Sequence, residues 1–213
     1  YNVASSMMYF KMKVLGAIVP FLAVAGFLPL ANAFAAITPG TKIPDADLHW
    51  GFNPVTYINV PEYTAGQKVL FLGLPAAFTS TGTNPQVPSY LEHQDALKEE
   101  LGIDNVIVYC VNDAAVMGVW NAKLVEEFGK PNKLVTFMGD PSGDFTRLLG
   151  MEMTDPRPAS AGFIGRCKRF AMYVDSNVVK YVAVSESPDD PAGDENPEAT
   201  CAPAMIEAIK SLL

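Results

Sequence analysis

Four short apolar runs, separated by stretches with helical periodicity, constrain the fold of this chain more than any other feature. Runs of Val, Leu and Ile of this length are typical of strands buried on both faces of a parallel sheet. They occupy residues 68–74, 105–111, 134–137 and 170–174. Stretches with apolar side chains three or four residues apart occupy 88–101, 113–128, 142–149 and 202–213. This alternation predicts one α/β domain.

Charge and residue spacing exclude several classes of site. The net charge of −8 argues against a nucleic-acid partner, because that affinity depends on clustered Lys and Arg. His49 and His93 are far apart, and no C-x-x-C pair is present, so neither a metal nor a cofactor is expected. The acidic stretch 186–198 lacks a calcium-loop pattern and is predicted to be a solvated loop.

The amino-terminal part of the chain carries a long uncharged segment, residues 14–37, after Lys11 and Lys13. As a helix it would extend about 36 Å, enough to cross a bilayer core of about 30 Å. A basic start, an apolar middle and the small-x-small sequence Ala31-Asn32-Ala33 also fit a cleaved signal peptide. We expect a retained anchor, because the segment is still part of the chain. The predicted organisation is a flank at 1–13, a transmembrane helix at 14–37 and a domain at 38–213.

The end of this apolar segment suggests a location. Residues 31–36, with the sequence ANAFAA, resemble the Phe-containing junction of plastid-targeted precursors in algae with complex plastids. Combined with the expected anchor, this resemblance predicts a single-pass protein of the plastid thylakoid membrane.

Several spaced motifs within the domain occur in one order. They are PAAFT at 75–79, VPSY at 87–90, CVND at 110–113 with Trp120, DPSG at 140–143 and RCKRFAM at 166–172. In this order they resemble the type II branch of the peroxiredoxins, over about residues 41–213. The resemblance implies a thioredoxin-like fold and a peroxidase ancestry.

The active loop departs from that family at one decisive position. The family sequence is P-G-A-F-T-P-x-C, and Gly82 stands where the resemblance places its cysteine. Peroxide reduction requires a thiolate that becomes a sulfenic acid, and glycine has no atom to oxidise. Pro75, Thr79, Gly82 and Arg169 are therefore predicted to form a vestigial pocket rather than a catalytic site.

Two other thiols are candidates for a displaced function. Cys201 resembles the resolving cysteine of the atypical two-cysteine members. Cys167 lies two residues before Arg169, so on a strand it would share a face with that cation and could point toward the pocket. Cys110 lies in an apolar run and is predicted to be inert core.

These observations predict a catalytically inactive peroxiredoxin-like protein, anchored in a membrane. Its expected partners are membrane lipid and the subunits of a larger membrane complex, photosynthetic in kind. The alternative is a thiol oxidoreductase or peroxidase that uses Cys167 or Cys201. A third reading is a ligand-binding or redox-sensing module that uses the pocket near Gly82 and Arg169.

Overall fold

A computed structural model describes residues 35–129 and 131–213 of the chain. These residues build a single seven-stranded sheet in the order β2-β1-β5-β4-β3-β6-β7. The central strands β3, β4 and β5 are parallel, whereas the two pairs at the edges are antiparallel. The strands are β1 Asp47–Trp50, β2 Thr56–Asn59, β3 Lys68–Leu74, β4 Asn105–Cys110, β5 Val135–Gly139, β6 Phe170–Asp175 and β7 Val178–Val184.

Helices cover both faces of the sheet. In the described ranges they are α1 Val60–Tyr63, α2 Val87–Glu92, α3 Gln94–Glu99, α4 Ala114–Phe128, α5 Asp144–Leu148, α6 Pro156–Ser160 and α7 Ala202–Lys210. Two short turns of other geometry precede α2 and α7, an irregular turn at Gly82–Gln86 and a 3₁₀ turn at Pro197–Thr200. Asp113 begins α4 by accepting a hydrogen bond from the Val116 amide at 2.9 Å.

The core is divided into two layers by the central strands. Leu70, Leu72 and Leu74 of β3 face one cluster, which includes Trp120. Phe71, between them in sequence, faces the other cluster with Phe145 and Cys167. Burial on both faces explains why these strands appear in the sequence as continuous apolar runs.

The α/β expectation is confirmed, and the differences lie at edges and helix ends. The predicted helix 88–101 is divided into α2 and α3 at His93, which ends the first helix. The edge strands β2 and β7, and β1 beside β2, were not predicted, because half-exposed strands lack a continuous apolar run. A hairpin turn leads into β7, with Ser176 and Asn177 both at positive φ, 49° and 66°.

The predicted transmembrane helix at 14–37 lies almost entirely outside the described residues. Only its last three residues, 35–37, are described, and these are not helical. Instead the Ile37 amide donates to the Leu149 carbonyl at 2.9 Å. None of the helices in the described ranges is long and apolar enough to cross a membrane, and α4, the longest, has 15 residues.

Candidate active site around Arg169

A cavity of about 330 Å³ opens beside the carboxyl end of β3. We call it the Arg169 cavity. Most of its wall is apolar, and two arginines, two aspartates and one threonine supply the polar groups. The lining residues are Pro75, Thr79, Met153, Arg157, Pro158, Ala161, Phe163, Arg169, Asp189, Pro191, Ala192 and Asp194. An apolar wall with a few polar groups is typical of a small-molecule site.

The guanidinium of Arg169 is buried, with a residue exposure of 1%. Its Nε donates to the Gly193 carbonyl at 2.9 Å, Nη1 to Gln86 Oε1 at 2.8 Å and Nη2 to Asp194 Oδ1 at 2.6 Å. Burial lowers the pKa of Arg169, and the charge of Asp194 opposes that change. The side chain thus fixes the loop that carries Gly193 and Asp194 against the start of α2.

The loop after β3 brings Thr79 to the cavity. Phe78 has a positive φ of 62°, and Thr79 Oγ1 donates to the Ala76 carbonyl at 3.2 Å. The Ala77 amide donates to Asn112 Oδ1 at 3.1 Å, which ties this loop to the end of β4. The Asn112 motif found in the sequence therefore supports the site through the backbone.

The structure brings together three of the four residues predicted for the vestigial pocket. Pro75, Thr79 and Arg169 line the Arg169 cavity. Gly82 is buried beside them without lining it, and begins the irregular turn before α2. A Cβ on Gly82 would lie 2.8 Å from Thr79 Oγ1 and 2.8 Å from Leu74 Cδ2.

The three cysteines are unpaired and occupy different environments. Cys110 is fully buried, as predicted. Cys167 is also fully buried and lies in the opposite core layer, where its Sγ is 3.4 Å from Tyr109 Oη. It does not line the Arg169 cavity, so the orientation predicted for it from strand periodicity is wrong. Burial raises the pKa of Cys167 to about 12.

That shift predicts a loss of stability in alkali. Above the ordinary thiol pKa of 9.0 the unfolded chain ionises at Cys167, whereas the folded chain keeps the proton until about pH 12. Unfolding therefore becomes easier between these values, by at most about 4 kcal/mol from this group. Urea unfolding from pH 7 to 11 should show wild type losing more stability than Cys167→Ala. Parallel losses in the two proteins would contradict the assignment.

Cys201 differs from the other two because it begins helix α7 and retains 8% exposure. Its Sγ donates to the Pro197 carbonyl at 3.4 Å, and the next amide, of Ala202, donates to Ser89 Oγ at 2.9 Å. Burial raises the pKa of the Cys201 thiol, and Glu198 adds to this effect. The hydrogen bond with Ser89 and the charge of Arg169 act in the opposite direction.

Gln86 connects the surroundings of Cys201 to the Arg169 cavity. Its Oε1 accepts from Arg169, and its Nε2 donates to Thr200 Oγ1 at 3.1 Å. Thr200 directly precedes Cys201, and its carbonyl accepts from Tyr90 Oη at 2.8 Å. Gln86 was not predicted as part of the site, because one amide in a loop carries no motif. Its full burial becomes visible only in the fold.

Comparisons with known proteins agree with this geometry. The family model Redoxin matches residues 38–200. Peroxiredoxin-2C from Oryza sativa subsp. japonica is 34% identical over 71% of this chain and 90% of that protein. Peroxiredoxin-2E-2, chloroplastic, from the same plant is 34% identical over 73% of this chain and 68% of that protein. A crystal structure of reduced Prx3 in complex with hydrogen peroxide from Vibrio vulnificus superposes with a TM-score of 0.67. It is 31% identical and covers 82% of this chain and 96% of that one.

These matches confirm the thioredoxin-like, peroxiredoxin fold and overturn the predicted function. The prediction of a catalytically inactive accessory subunit of a photosynthetic membrane complex is wrong, because the matching proteins are named peroxiredoxins. The hydrogen bonds of Gln86 link Arg169 to Thr200, the residue before Cys201, so a thiol lies near the cavity. The prediction that the protein is not an enzyme is wrong for the same reason, because the matching proteins are named peroxiredoxins.

The predicted single-pass thylakoid location is also contradicted. No helix among the described residues is long and apolar enough to cross a membrane, and two of the relatives are designated chloroplastic. The prediction depended on the apolar character of residues 14–37, which anchors share with leader segments.

Proposed function

The chain belongs to the redoxin family, and from this premise we propose that it is a thiol oxidoreductase that reduces hydroperoxides through Cys201. One observation carries the choice of thiol. Of the three cysteines, Cys201 alone retains any solvent exposure, 8% against 0% for the other two, and it lies at the start of a helix. Cys110 and Cys167 are sealed in the core, where an oxidant would reach them only by opening the sheet.

Three groups near Cys201 favour the thiolate that this chemistry needs, although their sum does not outweigh burial, which leaves the pKa of the thiol raised. The amino end of α7 carries a partial positive charge, which stabilises an anion. Arg169 adds a full positive charge, and Ser89 supplies a hydrogen bond. Burial has the larger, opposite effect on the pKa. We therefore expect the rate to rise with pH through and beyond the ordinary range for a thiol.

The reaction balances with two reduced thiols per peroxide. The Cys201 thiolate attacks the outer oxygen of the hydroperoxide, an S–O bond forms, and the O–O bond breaks. The leaving alkoxide or hydroxide takes a proton, and Cys201 becomes a sulfenic acid. An external thiol then forms a mixed disulfide and releases water, and a second thiol restores Cys201 with release of a disulfide.

Replacement of Cys201 tests the proposal. Thiol-dependent consumption of tert-butyl hydroperoxide by Cys201→Ser should fall at least about 100-fold, because the nucleophile is lost. Cys167→Ala is the matched control, because it removes a free thiol that is fully buried. This variant should consume the hydroperoxide at the wild-type rate. A sulfenic-acid reagent should label Cys201 in the wild-type protein after peroxide treatment. An undiminished rate in Cys201→Ser, or a label elsewhere, would refute the assignment.

A further inference from the structure

The Arg169 cavity contains a sulfur atom that the thiol chemistry of Cys201 does not use. Met153 lines the cavity, and no other sulfur-containing side chain does so among the described residues. We propose that Met153 is an oxidation site, at which a hydroperoxide entering the Arg169 cavity transfers one oxygen atom to the thioether. The step needs neither Cys201 nor an external thiol.

Backbone pairing fixes Met153 against the cavity. The Met153 amide donates to the Arg166 carbonyl at 2.8 Å, and the Lys168 amide donates to the Met151 carbonyl at 2.7 Å. Glu152 pairs with Cys167 in an antiparallel bridge between these bonds. Residues two apart in an extended segment share a face, so Met151 and Met153 differ in what covers each side chain and not in the side of the segment they occupy. Met151 enters the core, and Met153 faces the cavity.

Exposure distinguishes Met153 from the other methionines of the described part. Its exposure is 7%, whereas Met117, Met138, Met151, Met172 and Met205 are between 0% and 1% exposed. Oxidation of methionine depends on contact between the sulfur and the oxidant. Met151 is therefore an internal reference, with the same side chain two residues away.

The cavity supplies both parts of a site for an organic hydroperoxide. Pro158, Phe163 and Pro191 give an apolar surface for the carbon chain, and the Arg169 guanidinium and Thr79 hydroxyl give polar groups for the oxygens. The sulfur lone pair forms an S–O bond with the outer oxygen as the O–O bond breaks. The proton of that oxygen passes to the departing alkoxide, so thioether and hydroperoxide become sulfoxide and alcohol.

Oxidation changes the cavity that hosts it. A sulfoxide places a polar oxygen on a wall that is otherwise mostly apolar. Affinity for apolar chains falls as a result, because the new dipole must be desolvated when such a chain binds. The sulfoxide at Met153 is therefore a lasting product of exposure to hydroperoxide, and it lowers the affinity of the cavity for further apolar hydroperoxides.

Peptide mapping by mass spectrometry tests the proposal on the intact folded protein. After exposure to tert-butyl hydroperoxide, Met153 should gain one oxygen atom at least about tenfold faster than Met151. Ala161→Phe should fill the cavity and slow this oxidation at least about fivefold, since access to the sulfur is lost. Ala159→Phe is the matched control: Ala159 is exposed on α6 and does not line the cavity, so its replacement should leave the rate unchanged.

The same experiment separates the alternatives. Equal oxidation of Met153 and Met151, or equal rates in the two phenylalanine variants, would overturn the proposal. Cys201→Ser should oxidise at Met153 as fast as wild type, which distinguishes this site from the proposed thiol reaction. Circular dichroism of each variant confirms that its fold is retained, and Met153→Leu, of similar volume, should show no added oxygen in that peptide.

Discussion

Gly82→Cys should raise thiol-dependent hydroperoxide reduction at least about 100-fold above the wild-type rate, because it adds a nucleophile to a loop that otherwise lacks one. The new Cβ would lie 2.8 Å from Thr79 Oγ1, too close for an unstrained contact, so the hydroxyl must turn aside and would then remain beside the new thiol. The position also begins the helical turn that leads into α2, whose amide groups favour an anion. Stopped-flow measurement of peroxide consumption checks the rate.

The control is Gly82→Ala, which adds the same Cβ without sulfur. Either variant must displace the Leu74 methyl and the Thr79 hydroxyl, and both are ends of side chains that can turn. The difference between the two variants therefore isolates the thiol. If the cysteine variant is no faster than the alanine variant, the correspondence between Gly82 and the family's reactive position is refuted.

Arg169→Met should lower the free energy of unfolding by about 3 kcal/mol, since it leaves buried partners without a donor. Gln86 Oε1 and the Gly193 carbonyl both lose their hydrogen bonds with this side chain. Asp194 loses its cation, but its side chain is 52% exposed and remains hydrated. Urea unfolding followed by circular dichroism measures the change.

Arg157→Met provides the comparison on the same cavity. Arg157 also pairs with an aspartate, Asp155, at 2.8 Å, but its side chain is 54% exposed. Exposed pairs contribute little, because water solvates both partners when the pair is broken. We expect a much smaller loss than for Arg169→Met. Equal losses of unfolding free energy in the two variants would show that the hydrogen bonds of Arg169 do not stabilise the loop that carries Gly193 and Asp194.

The central strands were predictable because burial on both faces leaves a simple pattern. Strand β3 was placed at its observed bounds, Lys68–Leu74, and α4 within one residue of its start. The edge strands were not predictable in the same way. β7 mixes Lys180 and other partly exposed side chains with buried ones, so neither an apolar run nor strict alternation marks it.

The candidate site was predictable only where a residue belongs to a motif. Thr79 and Arg169 were assigned to one pocket through the family resemblance, and they line one cavity. Gln86 and Asp194 were missed as partners of Arg169, because these contacts join residues 83 and 25 positions apart. Cys167 was expected to share a strand face with Arg169, but both residues precede β6, which begins at Phe170, so strand periodicity does not give their orientations.

The side chain of Gln86 satisfies two demands at once. It accepts from a guanidinium through oxygen and donates to a hydroxyl through nitrogen, with both neighbours buried. A carboxylate of equal length would keep the first role and lose the second, and an apolar side chain would lose both. Its chemical identity is thus dictated by Arg169 and Thr200, which come from the carboxyl-terminal third of the chain. Only a neutral side chain that carries both a hydrogen-bond acceptor and a donor can join them without adding charge to the interior.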